Sequence, residues 1–318
     1  MNHWLQILSL LTSIFLPIGF GYLVKKAGIF KPTQIKVLQD FVIRITIPFL
    51  IFKNLFKADI SSIRQFFPAA AGLVILTGLF ALTGYLLSSR VSPEKRTQNT
   101  YPLAVMAGNY AFLGWGVMYT LYGKAAFTRA VFFSILFWPT FLFFGFWLIS
   151  RLKDGETPAG GNFFAVLKKN ATVPLLSAGG GVAFNLMNFS LPDPLWNFVD
   201  SFGAITIPLI LFTIGLNLSF RLPRPQIRIL LLAAGHRLVF GFALGGATVL
   251  ALKLIFSVDT TTLRVLLLQS TMPTAAMSPF FAEFIPTDKK LLSSIITFST
   301  LLSLVSIPFW YAVIERIL

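Results

Sequence analysis

The residues of this chain best suited to binding chemistry are uncharged polar side chains in the middle of long apolar runs. Asn109 and Tyr110 lie between Gly108 and Gly114, near the centre of the uncharged run 97–123. Glycine and asparagine are both unfavourable inside a continuous helix, since glycine costs about 1 kcal/mol relative to alanine and asparagine bonds competing backbone groups. We therefore predict a helix break here. Lipid cannot satisfy the backbone groups that a break frees, so the break must be buried in protein or line a polar cavity, where a small ligand can bind.

A second break is predicted in the run 265–282, where two prolines and a Gln-Ser-Thr cluster interrupt an otherwise apolar sequence. Proline inside a helix removes a hydrogen bond and clashes with the preceding turn. Two broken helices that meet would turn half-helix N-termini, with their partial positive charge, toward one site, which suits an anion. The candidate binding residues are Asn109, Tyr110, Gln269, Thr271, Pro273, Thr274 and Arg237, and the candidate crossover residues are Gly108, Gly114, Pro273 and Pro279.

Arg237 interrupts the apolar run 229–252 about a third of the way along it. A charge within a membrane span is rare and usually faces a cavity or a partner group, and a cation in a cavity would attract an organic anion. The alternative is that the guanidinium extends to the cytoplasmic interface, helped by the neighbouring His236. The sequence leaves both interpretations open.

The composition of the chain is that of an integral membrane protein. Its 318 residues are 56% hydrophobic and 12% charged, whereas soluble domains carry about 25% charged residues. The long uncharged runs exclude a porin-type barrel, whose strands alternate. The net charge of +15 comes from basic residues in short loops, which is typical of topology signals rather than of a nucleic-acid-binding face. With no cysteine and only two histidines, far apart, we expect neither a metal site nor a cofactor.

Ten membrane-spanning helices account for the apolar runs, and each is close to the roughly 20 residues that a bilayer requires. They are predicted at 4–24, 38–56, 65–89, 97–123, 130–150, 170–192, 201–220 (with an alternative start near Trp196), 229–252, 265–282 and 291–314. Loops on one side of this topology hold about twice as many lysines and arginines as loops on the other, which places both termini outside. Lys53 and Lys57 go against this assignment, because they fall on the outer side.

The two halves of the chain repeat one another. The stretches Asp40-Phe-Val-Ile-Arg-Ile-Thr-Ile-Pro48 in the second span and Asp200-Ser-Phe-Gly-Ala-Ile-Thr-Ile-Pro208 in the seventh are identical at five of nine positions. The polar stretch 151–165 is predicted to be a cytoplasmic linker between a first repeat at 1–150 and a second at 166–318. Because five spans is an odd number, the second repeat must enter the membrane in the opposite direction, as an inverted-topology repeat in which the broken spans four and nine correspond.

An ordered set of segments covers nearly the whole chain. The segments are Leu38–Phe52, Gly108–Gly114 followed by Leu121-Tyr-Gly123, Lys169–Pro174, Ile207–Gly215, and Met272-Pro-Thr-Ala with Phe281-Ala-Glu283. This set resembles the auxin efflux carrier family, which contains the plant PIN carriers and many prokaryotic relatives, in the bile acid/sodium symporter-like superfamily. Thr274 stands where the family commonly has a second proline. The short linker favours a prokaryotic member, located in the inner (plasma) membrane.

The resemblance implies a scaffold of spans 1, 2, 6 and 7, often dimeric, and a mobile transport domain of spans 3–5 and 8–10 with the broken helices four and nine crossed within it. It also implies that small organic anions, such as indole acetate or dicarboxylates, move by elevator-type alternating access. The expected partners are therefore the anion, the lipid bilayer and a second copy of the chain bound through the scaffold helices.

The combined prediction is a secondary carrier of small organic anions, and three alternatives stand beside it. A sodium-coupled bile-acid-type symporter is disfavoured because spans four and nine have no acidic residue in their middles. A non-transporting membrane sensor that keeps the carrier fold is disfavoured because no appended soluble domain relays a signal. A membrane enzyme receives the least weight, since the spans lack paired carboxylates, a His–Ser pair or a metal cluster.

Overall fold

The computed structural model describes residues 3–58, 63–152, 163–217 and 226–318, and all regular structure in those ranges is helical. Most of the predicted linker, 153–162, lies outside the described residues. The helices long and apolar enough to cross a membrane alone are Phe67–Val91, Asp193–Asn217, Ile227–Lys253 and Lys289–Ile317. The pair Gly114–Ser134 and Phe137–Leu152, bent by 42°, makes a further span if it is counted as one. The described part of the chain is thus an all-α membrane protein.

The helices follow one another along the chain with short connections. They are α1 His3–Lys26, α2 Pro32–Phe41, α3 Ile47–Phe56, α4 Phe67–Val91, α5 Lys95–Val105, α6 Gly114–Ser134, α7 Phe137–Leu152, α8 Phe163–Leu186, α9 Asp193–Asn217, α10 Ile227–Gly235, α11 Gly241–Lys253, α12 Thr260–Ser270 and α13 Lys289–Ile317. Wider π-helical turns at Val42–Thr46 and His236–Phe240 join α2 to α3 and α10 to α11. Shorter 3₁₀ turns lie at Ile63–Phe66 and Ser278–Glu283.

The helix ends differ from the predicted spans at α6, which continues past the predicted end at 123 to Ser134, and at α8 and α9. α8 begins at Phe163 rather than near 170, and α9 begins at Asp193, well before 201 and close to the alternative start near Trp196. The predicted spans stop at charged residues, but a helix continues beyond the hydrocarbon region because its charges are solvated there. Asp193 in the first turn of α9 also favours this start, since a carboxylate interacts well with the N-terminal end of the helix dipole.

One group of helices contains neither of the predicted helix breaks. In it, α1 lies against α9, and α3 lies against both α8 and α9. The backbones of α1 and α9 approach closely. A Cβ atom on Gly21 would collide with the carbonyl of Phe212, and one on Gly215 would collide with the carbonyl of Ile18. Contact through small residues is how helices associate in lipid, where apolar side chains gain little by leaving the solvent.

A second group of helices surrounds two interruptions of the chain, one between α5 and α6 and one after α12. α4 lies against α5, α6, α7 and α11, and α12 lies against α6, α11 and α13. Gly241 and Gly245 of α11 let that helix approach Ser270 at the end of α12. Residues 101–110 and 265–275 are all buried, so both interruptions lie inside the protein and away from lipid.

Candidate functional site

The two interruptions pair with each other through their backbones. α5 ends at Val105 and α6 begins at Gly114, while α12 ends at Ser270 and is followed by non-helical residues up to Met277. Gly108 and Thr274 form an antiparallel bridge. The N–H of Asn109 donates to the carbonyl of Pro273 at 2.7 Å, and the N–H of Ala275 donates to the carbonyl of Ala107 at 2.9 Å. The peptide groups freed by one break are therefore satisfied by the other, as a buried location demands.

Arg237 holds both breaks from a third helix. It lies in the π-helical turn His236–Phe240 and is completely buried. Its Nε and Nη2 donate to the carbonyl of Met272 at 3.1 and 2.8 Å, and its Nη1 donates to the carbonyl of Val105 at 3.2 Å. The guanidinium is thus held at the C-terminal ends of α5 and α12, where its charge offsets the partial negative charge of both helices. It does not extend toward an interface.

The face of the Phe80 ring covers the guanidinium of Arg237, with Cζ 3.9 Å from the ring centroid. A cation over an aromatic face is stabilised further when the pair is desolvated. The neighbouring His236 is also buried and lies between two helices, with Nδ1 3.0 Å from the Tyr101 hydroxyl and Nε2 2.9 Å from the Thr83 hydroxyl. Together these contacts fix α10 and α11 against α4 and α5.

Two glycines allow this close packing. A Cβ atom on Gly108 would collide with Nη2 of Arg237 and would lie 3.0 Å from Cζ of Tyr110. A Cβ atom on Gly114 would collide with Oε1 of Gln269 and lie 2.9 Å from the amide carbon. Any side chain at either position would push these polar groups out of place, so both glycines are structural requirements of the arrangement.

Asn109 and Tyr110 occupy the middle of the first break. Asn109 is 5% exposed, and its carbonyl accepts from the N–H of Gly114 at 2.9 Å. Its side-chain amide makes no hydrogen bond to any residue that the structure describes. Tyr110 is buried, and its ring packs edge-on against Phe133 with centroids 5.1 Å apart. The side-chain amide of Asn109 is therefore available to bond a ligand, whereas the ring of Tyr110 forms part of the wall of the site.

The polar residues of the second break divide into bonded and unbonded groups. Thr271 Oγ1 donates to the carbonyl of Leu268 at 2.9 Å and so caps α12. Gln269 Nε2 donates to the carbonyl of Tyr110 at 3.3 Å. Within the described residues, the buried oxygens Gln269 Oε1, Thr274 Oγ1 and Ser278 Oγ have no hydrogen-bond partner. Leaving a buried polar group unsatisfied costs about 1–3 kcal/mol, so these oxygens favour a bound polar ligand or water.

Contacts join eight of the ten sequence-predicted residues into one network, whereas Thr271, among the described residues, bonds only within its own helix and Pro279 follows in the next segment. Pro279 stands in the first turn of the 3₁₀ segment Ser278–Glu283, where a missing N–H is tolerated. It starts a turn rather than interrupting a helix. The two breaks also differ, because the first leads into α6 and the second into this six-residue 3₁₀ turn. The N-terminal partial positive charge at the site therefore comes mainly from α6.

Sequence reasoning missed the partners of Arg237. Val105 and Met272 accept through backbone carbonyls, which every residue has, so nothing in their side chains could have identified them. Phe80 lies in the apolar run of α4 and looks like any core or lipid-facing phenylalanine. His236 was noticed only as a neighbour of Arg237, although a histidine inside a membrane span was itself a signal of buried polar contacts.

A comparison with protein families matches a profile described as a membrane transport protein to residues 6–156 and 163–311. An uncharacterized transporter of Methanothermobacter thermautotrophicus is 31% identical over 309 residues, which cover 95% of this chain and 96% of that protein. An uncharacterized transporter of Methanocaldococcus jannaschii is 26% identical over 91% of this chain and 93% of that protein. The lysosomal cholesterol signaling protein of Mus musculus is 26% identical over 64% of this chain, but that stretch is only 25% of the mouse protein. These similarities point to a transporter rather than an enzyme.

Proposed function

The chain belongs to the membrane transport protein family of the auxin efflux carrier type, and we propose that it is a secondary active carrier of small organic anions. The paired breaks are the proposed substrate site. The observation that carries the proposal is the junction of two interrupted helices, buried and joined through Gly108 and Thr274, with a fully buried arginine against it. Such a junction is costly to build, and secondary transporters use it to hold substrate.

The chemistry of the junction favours an anion. Arg237 keeps its charge while its N–H groups bond carbonyls, so its electrostatic attraction remains available to a nearby anion. The N-terminus of α6 adds a partial positive charge, and Asn109 can donate from its amide. Gln269, Thr271, Pro273 and Thr274 lie on the opposing segment, where the Gln269 amide and the Thr271 hydroxyl already donate to carbonyls and the Thr274 hydroxyl has no described partner. A carboxylate would accept directly from the Asn109 amide and the Thr274 hydroxyl.

The contacts between matched residues support ten spans in two inverted repeats. Thr206 Oγ1 donates to the carbonyl of Thr46 at 2.9 Å, and these two threonines stand 160 residues apart, at the same place in the proposed repeats. A residue that touches its own repeat mate lies near a pseudo-two-fold axis. Such an axis exchanges the first span with the sixth and the second with the seventh, that is, α1 with α8 and α3 with α9. It would therefore relate the packing of α1 on α9 to the packing of α8 on α3, and both are present.

The proposed transport cycle is elevator-type alternating access. Asn109, Gln269 and Thr274 are at most 5% exposed, so the site must move or open before an anion can enter from either side. We propose that α1, α2–α3, α8 and α9 form the stationary scaffold and that the helices around the breaks move as one body. Exposed apolar side chains on α1, such as Leu16, Phe20 and Leu23, would face lipid or a second copy of the chain in a homodimer.

The decisive test replaces Asn109 with alanine. We expect Asn109→Ala to lower the initial rate of labelled organic-anion uptake about tenfold, because one hydrogen bond to a charged ligand is worth about 1.5–3 kcal/mol. The measurement uses purified protein in proteoliposomes, with indole acetate and succinate as probes. The thermal stability of the variant should stay near that of the wild type, since the amide bonds no described residue.

The control is Asn197→Ala, which removes an exposed amide from α9 and should leave uptake unchanged. Normal uptake in Asn109→Ala would remove this residue from the substrate site. Uptake that requires sodium would instead support the sodium-coupled symporter. Ligand binding without any flux would support a sensor, the reading favoured by the name of the mouse relative, against the two transporters that match nearly full length.

A further inference from the structure

An open cavity of about 390 Å³ lies apart from the paired breaks. It is found where α3 ends, α9 begins and α6 is interrupted at Gly123, whose φ of 73° and ψ of −166° are not helical. The charged and aromatic residues of its walls are Lys53, Lys57, Tyr119, Lys124, Trp196 and Asp200. None of these residues was a predicted site residue, so the cavity needs an explanation of its own.

The charge of the cavity is positive. Lys53 Nζ is 2.7 Å from Asp200 Oδ1, so this pair is nearly neutral as a unit. Lys57 Nζ lies 4.3 Å from the centroid of the Trp196 ring. Neither Lys57 nor Lys124 pairs with a carboxylate among the described residues. Two ammonium groups in a concave site therefore raise the local concentration of anions.

The cavity lysines are among the basic residues that go against the charge pattern of the loops. On the proposed topology Lys53, Lys57 and Lys124 all lie on the outer side, where the positive-inside rule disfavours them. A shared ligand would account for the placement of these three lysines around one cavity on the outer side.

α6 links the cavity to the paired breaks. The helix begins at Gly114 in the first break, and Tyr119 in the cavity wall follows five residues later, about 7.5 Å along the helix axis. The cavity also lies between the proposed scaffold, represented by α3 and α9, and the proposed moving part, represented by α6. An anion bound here is therefore close to the junction and at the surface between the two parts.

We propose that this cavity, the outer anion site, binds small dicarboxylates on their way to or from the paired breaks. Two ammonium groups that have no carboxylate partner among the described residues match two carboxylates, and the volume suits a small ligand. Because Lys57 already covers a face of Trp196, that ring is not free to stack on an aromatic ligand, which favours a dicarboxylate over an aromatic monocarboxylate. The inference rests on the proposed carrier function for its role in transport.

The test measures succinate binding to the purified full-length protein by calorimetry. Lys57→Gln and Lys124→Gln should each raise the Kd of succinate about tenfold, since each removes one charged contact. The matched control is Lys253→Gln, which removes an exposed lysine from the end of α11, on the same proposed side but outside the cavity. Its Kd should stay within about twofold of wild type, because long-range charge effects at an exposed site are largely screened by salt.

The same variants in a proteoliposome uptake assay separate this proposal from the carrier function. If Lys57→Gln and Lys124→Gln take up succinate and bind it with an unchanged Kd, the outer anion site is overturned and the carrier function stands. If succinate binding depends on these lysines but no uptake occurs, the outer anion site stands and the carrier function is overturned. Equal losses in all three lysine variants, or tight binding of indole acetate with none of succinate, would also overturn the proposed site.

Discussion

At the scale of single residues, the buried guanidinium of Arg237 has two effects, one on the stability of the breaks and one on the charge of the proposed anion site. It satisfies backbone carbonyls of Val105 and Met272, which would otherwise be buried without donors. It also places a positive charge beside the proposed anion site. The first effect depends on the planar fork of donors in arginine, and the second depends only on charge.

Substitution by lysine and by glutamine distinguishes the two effects. We expect both Arg237→Lys and Arg237→Gln to destabilise the protein by about 2–4 kcal/mol, because neither side chain can reach the two carbonyls with three donors. Thermal unfolding in detergent measures this loss. If the charge also attracts the anion, Arg237→Lys should retain a lower KM for uptake than Arg237→Gln. Wild-type stability in Arg237→Lys would show that the fork is not required.

What could be predicted about individual residues depended on how unusual each one was in its surroundings. Asn109 and Gln269 were identifiable because polar side chains are conspicuous in apolar runs. Lys53 and Lys57 were treated as weak topology evidence, since the sequence did not show that Trp196 and Asp200 lie beside them. Contacts between distant segments depend on tertiary packing, which no local pattern encodes.

At the scale of helices, the start of α12 is held by one carboxylate. Asp259 is its N-cap, with Oδ1 accepting from the N–H of Thr262 at 3.0 Å and Oδ2 from the Thr262 hydroxyl at 2.8 Å. Arg129 of α6 lies 3.3 Å from Oδ1. The N-cap thus ties the helix that leads into the second break to the helix that leaves the first.

Burial of the Asp259 carboxyl would raise its pKa, but the hydrogen bonds from Thr262 and the charge of Arg129 outweigh this and hold the pKa below its usual value of 3.8. A depressed pKa in the folded state contributes stability that is present above the unfolded value and is lost as the pH falls through the folded value. The stabilising effect of Asp259 should therefore be complete at neutral pH and disappear only below 3.8.

We expect Asp259→Ala to lower the free energy of unfolding by about 1–2 kcal/mol at pH 7, as loss of an N-cap does. Asp259→Asn should cost less, because asparagine also caps helices and only the charge is lost. Thermal unfolding in detergent at neutral pH and near pH 3 measures both effects. The gap between Asp259→Ala and wild type should narrow in acid, and a gap that widened would contradict the assigned pKa direction.

The helix breaks were predictable and some helix ends were not, for a physical reason. Glycine and proline alter the backbone locally, so the interruptions at Gly108 and Pro273 follow from the sequence itself. The starts of α8 and α9 depend on how far a helix projects beyond the hydrocarbon layer. The change to a 3₁₀ turn at Ser278–Glu283 depends on packing around the break, which the sequence pattern does not specify.

At the scale of the whole molecule, the proposal that matters most is the inversion of the second repeat. It makes the two breaks approach from opposite sides, so that their strands pair antiparallel, as Gly108 and Thr274 do. A direct repeat would place corresponding loops on the same side of the membrane. The loop between α1 and α2 and the loop between α8 and α9 correspond, and they are therefore the informative pair.

The absence of cysteine from the whole sequence makes this topology directly measurable, since a single introduced thiol is the only one present. Lys31→Cys lies in the first of the two loops and Ser190→Cys in the second, and both positions are exposed. With inverted repeats and outer termini, a membrane-impermeant maleimide should label Ser190→Cys in intact cells and label Lys31→Cys only after permeabilisation. Labelling of both from outside would refute the inversion. The opposite pattern would keep the inversion and place both termini inside, which would move the outer anion site to the cytoplasmic face.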